Sequence, residues 1–311
     1  MGSDGPLQLR RQVALAVLAA LAAASTVAAP KVGFLTAPDG VPLCVAEAGN
    51  PQGPPIVFIH GYSQTYAVFA RQFESELAQD YRLLALDMRG HGCSGKPWAE
   101  SAYAGSRRWA DDIATLLKAK QLSRPVLVGW SAGGYWITDY VREYGTQNLA
   151  GLVFTGSHGG LMSAEINPAL PEMSKAIGAA LRAWPPDIAE ALPHGEQFAS
   201  RMSARPLPDD MRRIMYAATL MLPAYAHRAM ATRTMDNSDF ITGMDLPILM
   251  ILGDQDVVAT QAHMRALAAK LPQARLSVYP DTGHAAFAEQ PARFNRELAD
   301  FARQVRAGVQ P

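Results

Sequence analysis

The stretch Pro125-Val126-Leu127-Val128-Gly129-Trp130-Ser131-Ala132-Gly133-Gly134 constrains the fold more than any other part of this 311-residue chain. A short apolar run stops at a glycine. A helix-like pattern with Tyr135, Trp136, Tyr140 and Tyr144 begins a few residues later, so the stretch reads as strand, sharp turn, helix. A serine in such a turn takes a strained backbone conformation, and glycines two positions before and after it let strand and helix approach closely. Ser131 is the nucleophile candidate. Its hydroxyl would stand at a helix N-terminus, where unpaired backbone N–H groups and the helix dipole favour developing negative charge.

Apolar strands alternate with helical stretches around it. Val32–Ala37 and Pro42–Ala48 read as a hairpin turning at Pro38-Asp39-Gly40, followed by strands at 56–59, 82–86, 126–128, 149–154, 248–252 and 276–279. Helices are expected at about 66–79 and 103–120. Such alternation indicates a mostly parallel sheet covered on both faces, an α/β fold. The three-glycine run Asp87-Met88-Arg89-Gly90-His91-Gly92-Cys93-Ser94-Gly95 has no lysine in P-loop register and reads as a tight structural loop. Between Gly159 and about Gly243 stand eight prolines and, through Met244, nine of the thirteen methionines. That segment reads as short, broken helices forming an inserted cap. Its methionines suit either a lid over an apolar pocket or the core of a helical subdomain.

A serine hydroxyl needs a base to take its proton and a carboxylate to orient that base. Of the seven histidines, His284 follows a strand and the turn Pro280-Asp281-Thr282-Gly283, which puts it at the end of the sheet that bears Ser131. The loop after the strand ending at Leu252 offers Asp254 and Asp256. Asp256 is the expected carboxylate and Asp254 the alternative.

The combination of His60-Gly61, the Asp87–Ser94 loop, Gly129-Trp130-Ser131-Ala132-Gly133, Gly253 with Asp256, and Gly283-His284 resembles the α/β-hydrolase fold superfamily, in its esterase- and haloperoxidase-like subgroup with a helical cap. The resemblance spans nearly the whole chain after residue 29. It implies an eight-stranded sheet, a core of residues 30–158 and 244–311, a cap of 159–243, and a triad of Ser131, His284 and Asp256. It also implies an oxyanion hole made by the backbone N–H groups of Tyr62 and Ala132, with His60 structural. Epoxide hydrolases and dehalogenases of this fold carry aspartate where Ser131 stands, which argues against those reactions. Tyr62-Ser63-Gln64 departs from the loops of proline iminopeptidases and carbon–carbon hydrolases, and Ser63 stands where haloperoxidases often have proline.

The expectation is a serine hydrolase that cleaves carboxylic esters of small to medium apolar substrates through an acyl-enzyme, with no cofactor and no metal. A lactonase or thioesterase with the same triad, or a non-catalytic small-molecule receptor on this fold, are the alternatives. Tyr62, Tyr66, Trp130 and Tyr135 are candidates for the pocket wall, each equally accounted for as core packing, and His158 is a further candidate. Lys+Arg 28 against Asp+Glu 28 argues against nucleic acid as partner.

Residues 1–29 carry Arg10-Arg11, an apolar run from Val13 to Ala24, and the small residues Ser25-Thr26-Val27-Ala28-Ala29. This reads as a secretory signal whose removal leaves an exported protein without an integral membrane span; an uncleaved N-terminal anchor is the alternative. Export would permit a disulfide, and only Cys44 and Cys93 exist. One lies in a strand and the other in a glycine-rich loop with nothing in the sequence to bring them together, so free thiols are expected. The oligomeric state is open.

Overall fold

Strands without a polar face must be covered on both sides, and five central ones here have nearly every residue buried. The computed structural model describes residues 29–233 and 235–308. Its eight strands form one sheet: β1 (Lys31–Thr36), β2 (Pro42–Gly49), β3 (Pro55–Ile59), β4 (Arg82–Leu86), β5 (Val126–Trp130), β6 (Gly151–Thr155), β7 (Ile248–Gly253) and β8 (Ala274–Tyr279). The order is β1-β2-β4-β3-β5-β6-β7-β8. The first two pairings, β1 with β2 and β2 with β4, are antiparallel and the rest parallel. The expected sheet is present.

Alternate side chains of each strand point to opposite faces. Val57, Ile59, Leu84, Leu127, Phe154 and Met250 join one apolar layer, whereas Ile56, Phe58, Val128, Trp130, Leu249 and Ile251 join the other. Helices α1 (Arg107–Ala119) and α2 (Ala132–Tyr144) cover the first layer, their Trp109 and Trp136 rings stacked 4.9 Å apart. Between β6 and β7 come α3 (Leu170–Arg182), α4 (Ile188–Ser200), α5 (Asp209–Met221) and α6 (Ala224–Met230). After β7 follow α7 (Gln261–Ala268), the short α8 (Ala286–Glu289) and α9 (Pro291–Arg306). Phe294, Leu298, Phe301 and Val305 line one face of α9 and close the second layer.

Three sequence expectations need correction. The helix expected over 66–79 is three separate turns, at Tyr66–Phe69, Ala70–Phe73 and Leu77–Asp80. Ser75 interrupts it, its hydroxyl donating to the Gln72 carbonyl at 2.7 Å and accepting from the Leu77 amide. The helices between β6 and β7 are not short: three have thirteen residues. Their prolines mostly sit where a missing N–H costs nothing, Pro171 in the first turn of α3 and Pro208 and Pro223 as N-caps, with Pro193 alone inside a helix. Most methionines of this segment are packing material. Met162, Met202, Met211, Met215, Met230 and Met244 are buried, whereas Met173, Met221 and Met235 are exposed.

The third correction concerns the cysteines, which are joined in a disulfide with Cα atoms 5.5 Å apart. β4 pairs with β2, and the loop that leaves β4 folds back along β2. There the Gly95 amide donates to the Pro42 carbonyl, the Cys44 amide to the Ser94 hydroxyl and the Asp87 amide to the Cys44 carbonyl. Strand order, which local sequence does not contain, brings the two sulfurs together.

The leader and anchor readings lie outside the described residues, except for Ala29. Among the described residues no helix is long and apolar enough to cross a membrane.

Candidate active site

The chain leaves β5 and enters α2 through Ser131, whose φ of 52° and ψ of −119° lie where a side chain is strained. Only a crowded surround sustains that geometry. A Cβ at Gly129 would lie 2.6 Å from the Gly133 carbonyl oxygen, and one at Gly133 would lie 2.2 Å from that of Ile59. The Ser131 amide donates to the Thr155 carbonyl at 3.0 Å, and its own carbonyl accepts from the Ser157 hydroxyl at 2.6 Å. The elbow is thus pinned from the end of β6. Its side chain remains partly exposed.

The loop after β3 runs beside it. A Cβ on Gly61 would come within 3.2 Å of the Ser131 Cβ, which brings the Tyr62 backbone alongside the serine. Among the described residues, neither the Tyr62 nor the Ala132 amide has a hydrogen-bond acceptor. His60 is committed to holding this loop: Nδ1 donates to the Gly61 carbonyl at 2.7 Å and Nε2 accepts from the Met88 amide at 3.1 Å. An Nε2 that accepts an amide is unprotonated, and burial pushes the ring's pKa below the ordinary value in keeping with that. Asp87, fully buried, accepts from the Thr65 hydroxyl and from the amides of Tyr66 and Cys93.

Past the ends of β7 and β8, His284 Nδ1 donates to Asp256 Oδ2 at 2.9 Å, with both side chains buried. The remaining Asp256 oxygen accepts from the amides of Val258 and Ala259 at 2.8 and 3.0 Å. Burial alone would raise the Asp256 pKa. The His284 ring and these amides outweigh it, holding the carboxyl below its usual value. Asp254 is exposed and takes a different part, accepting from the Thr282 amide at 3.2 Å. Glycines again permit the approach: at Gly253 a Cβ would sit 2.1 Å from the Thr282 carbonyl oxygen, and at Gly156, where φ is 54°, 2.6 Å from that of His284. The strand ends of β3, β5, β6, β7 and β8 thus converge on one edge. Here a serine hydroxyl, a paired imidazole and two open amides are gathered.

Residues 54–291 match the family model described as the alpha/beta hydrolase fold. The chain belongs to the α/β-hydrolase family. A Burkholderia cenocepacia protein assigned as an aryl esterase is 33% identical, with a TM-score of 0.78 over 89% of this chain and 100% of that one. The esterase RhEst1 from Rhodococcus sp. ECU1013 is 28% identical with a TM-score of 0.74, over 88% of this chain and 99% of that one. Among curated sequences, the non-heme chloroperoxidase CPO-A1 of Kitasatospora aureofaciens is 29% identical over 86% of this chain and 98% of its own length. This α/β-hydrolase therefore has the fold and the family of the hydrolases, with esterases and haloperoxidases among its relatives.

The pocket candidates separate. Trp130 belongs to the core, being 1% exposed, packed on Phe287, and donating its indole N–H to the His284 carbonyl at 3.0 Å. It leaves no face for a substrate. Tyr66 is half-buried against the same layer. Tyr135 and His158 are brought together, hydroxyl to Nε2 at 3.0 Å, and burial pushes the histidine down to about 4, so its ring is neutral. Two partners had no signal in the sequence. His227, on α6, meets the Tyr62 hydroxyl through Nδ1 and stacks on Trp184 at 4.1 Å. Glu289, on α8, reaches the backbone on either side of the inserted segment's boundary. Among the described residues, the only set with metal-ligand spacing is Cys44, Asp87 and Cys93. Its sulfurs are spent on each other.

Proposed function

We propose that this hydrolase cleaves carboxylic esters of small to medium apolar substrates through a covalent acyl-enzyme on Ser131. The observation that carries the reading is the buried His284–Asp256 hydrogen bond at the sheet edge that bears the strained serine. With Nδ1–H donated to Asp256, Nε2 of His284 is left as the base. It takes the Ser131 proton while Oγ bonds to the ester carbonyl carbon, and the carbonyl oxygen becomes an oxyanion. The open amides of Tyr62 and Ala132 suit that oxyanion. His284 then gives its proton to the departing alkoxide. Water repeats the sequence on the acyl-enzyme, its proton passing through His284, to release the acid and restore Ser131.

The helices between β6 and β7 would act as a cap over this edge, with Tyr62, Tyr135 and His158 as wall residues. The similar esterases support ester chemistry ahead of lactone or thioester cleavage. Export of the mature chain is supported by the Cys44–Cys93 disulfide, a bond that persists in oxidising compartments.

The test is hydrolysis of p-nitrophenyl esters from acetate to palmitate by wild type, Ser131→Ala and His284→Ala. Loss of turnover in both variants, with folding intact by circular dichroism, is expected, and the chain-length optimum sizes the pocket. Turnover surviving Ser131→Ala sinks the nucleophile assignment. A folded but inert wild type directs the search to lactones, thioesters and tight binding without turnover.

A further inference from the structure

The loop carrying His284 is held from two sides, and only one of them belongs to the acid loop. On that side the Gln255 amide donates to the Thr282 carbonyl at 2.9 Å and the Thr282 amide to Asp254. On the other side stands the turn Met202–Ala204, which lies between α4 and α5 in the inserted segment. The Ala285 amide donates to the Met202 carbonyl at 2.8 Å. The Gly283 amide donates to Glu289 Oε1 at 2.8 Å, and Glu289 Oε2 accepts from the Ala204 amide, also at 2.8 Å. A Cβ on Gly283 would fall 2.6 Å from the Ala204 nitrogen, so the two backbones abut. Both residues flanking His284 are thereby fastened to the insert, one directly and one through a carboxylate.

We propose that Glu289 is a positioning residue: its carboxylate ties the Met202–Ala204 turn to the loop of His284, so that the insert helps set the orientation of the ring. The inference rests on the reading of His284 as the base. Two N–H donors converge on two oxygens, an arrangement only a carboxylate satisfies. A glutamine would accept one of them and turn its own N–H₂ toward the other. Burial raises the Glu289 pKa, partly opposed by the amides it accepts from.

The experiment compares wild type, Glu289→Gln and Glu289→Ala in the mature protein, recording melting, fluorophosphonate labelling of Ser131, and kcat and KM for p-nitrophenyl butyrate across pH. Glu289→Gln is expected to fold and to lose about tenfold in kcat with KM within about twofold, because the ring is misplaced and not the pocket. Glu289→Ala should lose more. A merely structural role would lower melting and activity together in Glu289→Gln, and that result overturns the proposal, as does wild-type kcat in that variant. Should Glu289→Ala not fold, Glu289→Gln alone decides. Wild type that fails to label at Ser131 overturns the hydrolase reading itself, which separates the two failures.

Discussion

The hydroxyl of Tyr62 hydrogen-bonds Nδ1 of His227, a residue 165 positions away on α6. One partner belongs to the loop beside Ser131; the other belongs to the insert, its ring stacked on Trp184. The loop that would hold the oxyanion is therefore anchored by its side chain to the helices inserted between β6 and β7. Tyr62→Phe keeps the amide and removes the anchor, leaving a buried imidazole nitrogen without its partner. We expect a stability loss of about 1–3 kcal/mol, read by urea denaturation, together with a lower kcat. A variant indistinguishable from wild type in both would show that the anchor does nothing.

The two acidic candidates after β7 are distinguished by one substitution each. Asp256→Asn should keep the fold and lower kcat by about 10⁴, since an amide in that place favours the wrong imidazole tautomer. Asp254→Asn keeps an oxygen acceptor for the Thr282 amide and should change kcat by about twofold at most. Reversal of these two results in a p-nitrophenyl butyrate assay would exchange their roles.

Stability should fall on mild acidification, and the sign follows from the buried histidines. Burial lowers the pKa of His158 to about 4 and of His227 to about 3, with a nearby Leu222 carbonyl opposing the shift at His227. His60 and His91 move in the same direction. Between these values and the unfolded value near 6.5, the unfolded chain binds protons that the folded one does not, so unfolding is favoured as pH drops through that window. Each fully neutral histidine costs about 2 kcal/mol at pH 5 relative to pH 7. Denaturation midpoints measured at pH 7, 6 and 5 should therefore decline steadily, and His227→Gln should flatten the decline. A level profile would mean these rings are not held neutral.

Removing the disulfide acts on both stability and rate. The bond spans 49 residues, and closing a loop of that size stabilises by about 4 kcal/mol on the chain-entropy account, with measured values commonly lower. The Cys93 amide also donates to Asp87, which in turn accepts from Thr65 and the Tyr66 amide, so the bond reaches the Tyr62 loop through one carboxylate. Cys44→Ala with Cys93→Ala should melt lower and turn over more slowly. Unchanged melting under reducing conditions would dismiss the structural role of the bond.

Much of this arrangement was legible along the chain, and what was not has a common cause. The apolar runs gave the strands because period and length are local, and Gly129, Ser131 and Gly133 announced the elbow because its sterics involve neighbours in sequence. His284 and Asp256 could be named because each follows its own strand. The Cys44–Cys93 bond could not, since it depends on β4 lying beside β2. Tyr62 with His227, and Gly283 with Glu289 and Ala204, join distant segments by side chains that carry no spacing rule. Trp130, left open between pocket wall and core, is core for a related reason: beside the serine in sequence, it packs in the layer of Phe58 and Phe287. The prolines of the insert suggested broken helices because their residue type was legible while their places at helix starts were not.

The insertion point between β6 and β7 divides the chain unevenly in chemistry. Ser131 and the amides of Tyr62 and Ala132 precede it, whereas Asp256 and His284 follow it. Neither portion contains a complete set of the proposed catalytic groups, and each supplies strands to one shared sheet. On the proposed mechanism either portion made alone should be silent, and turnover in a mixture would count how many halves have found each other in that sheet.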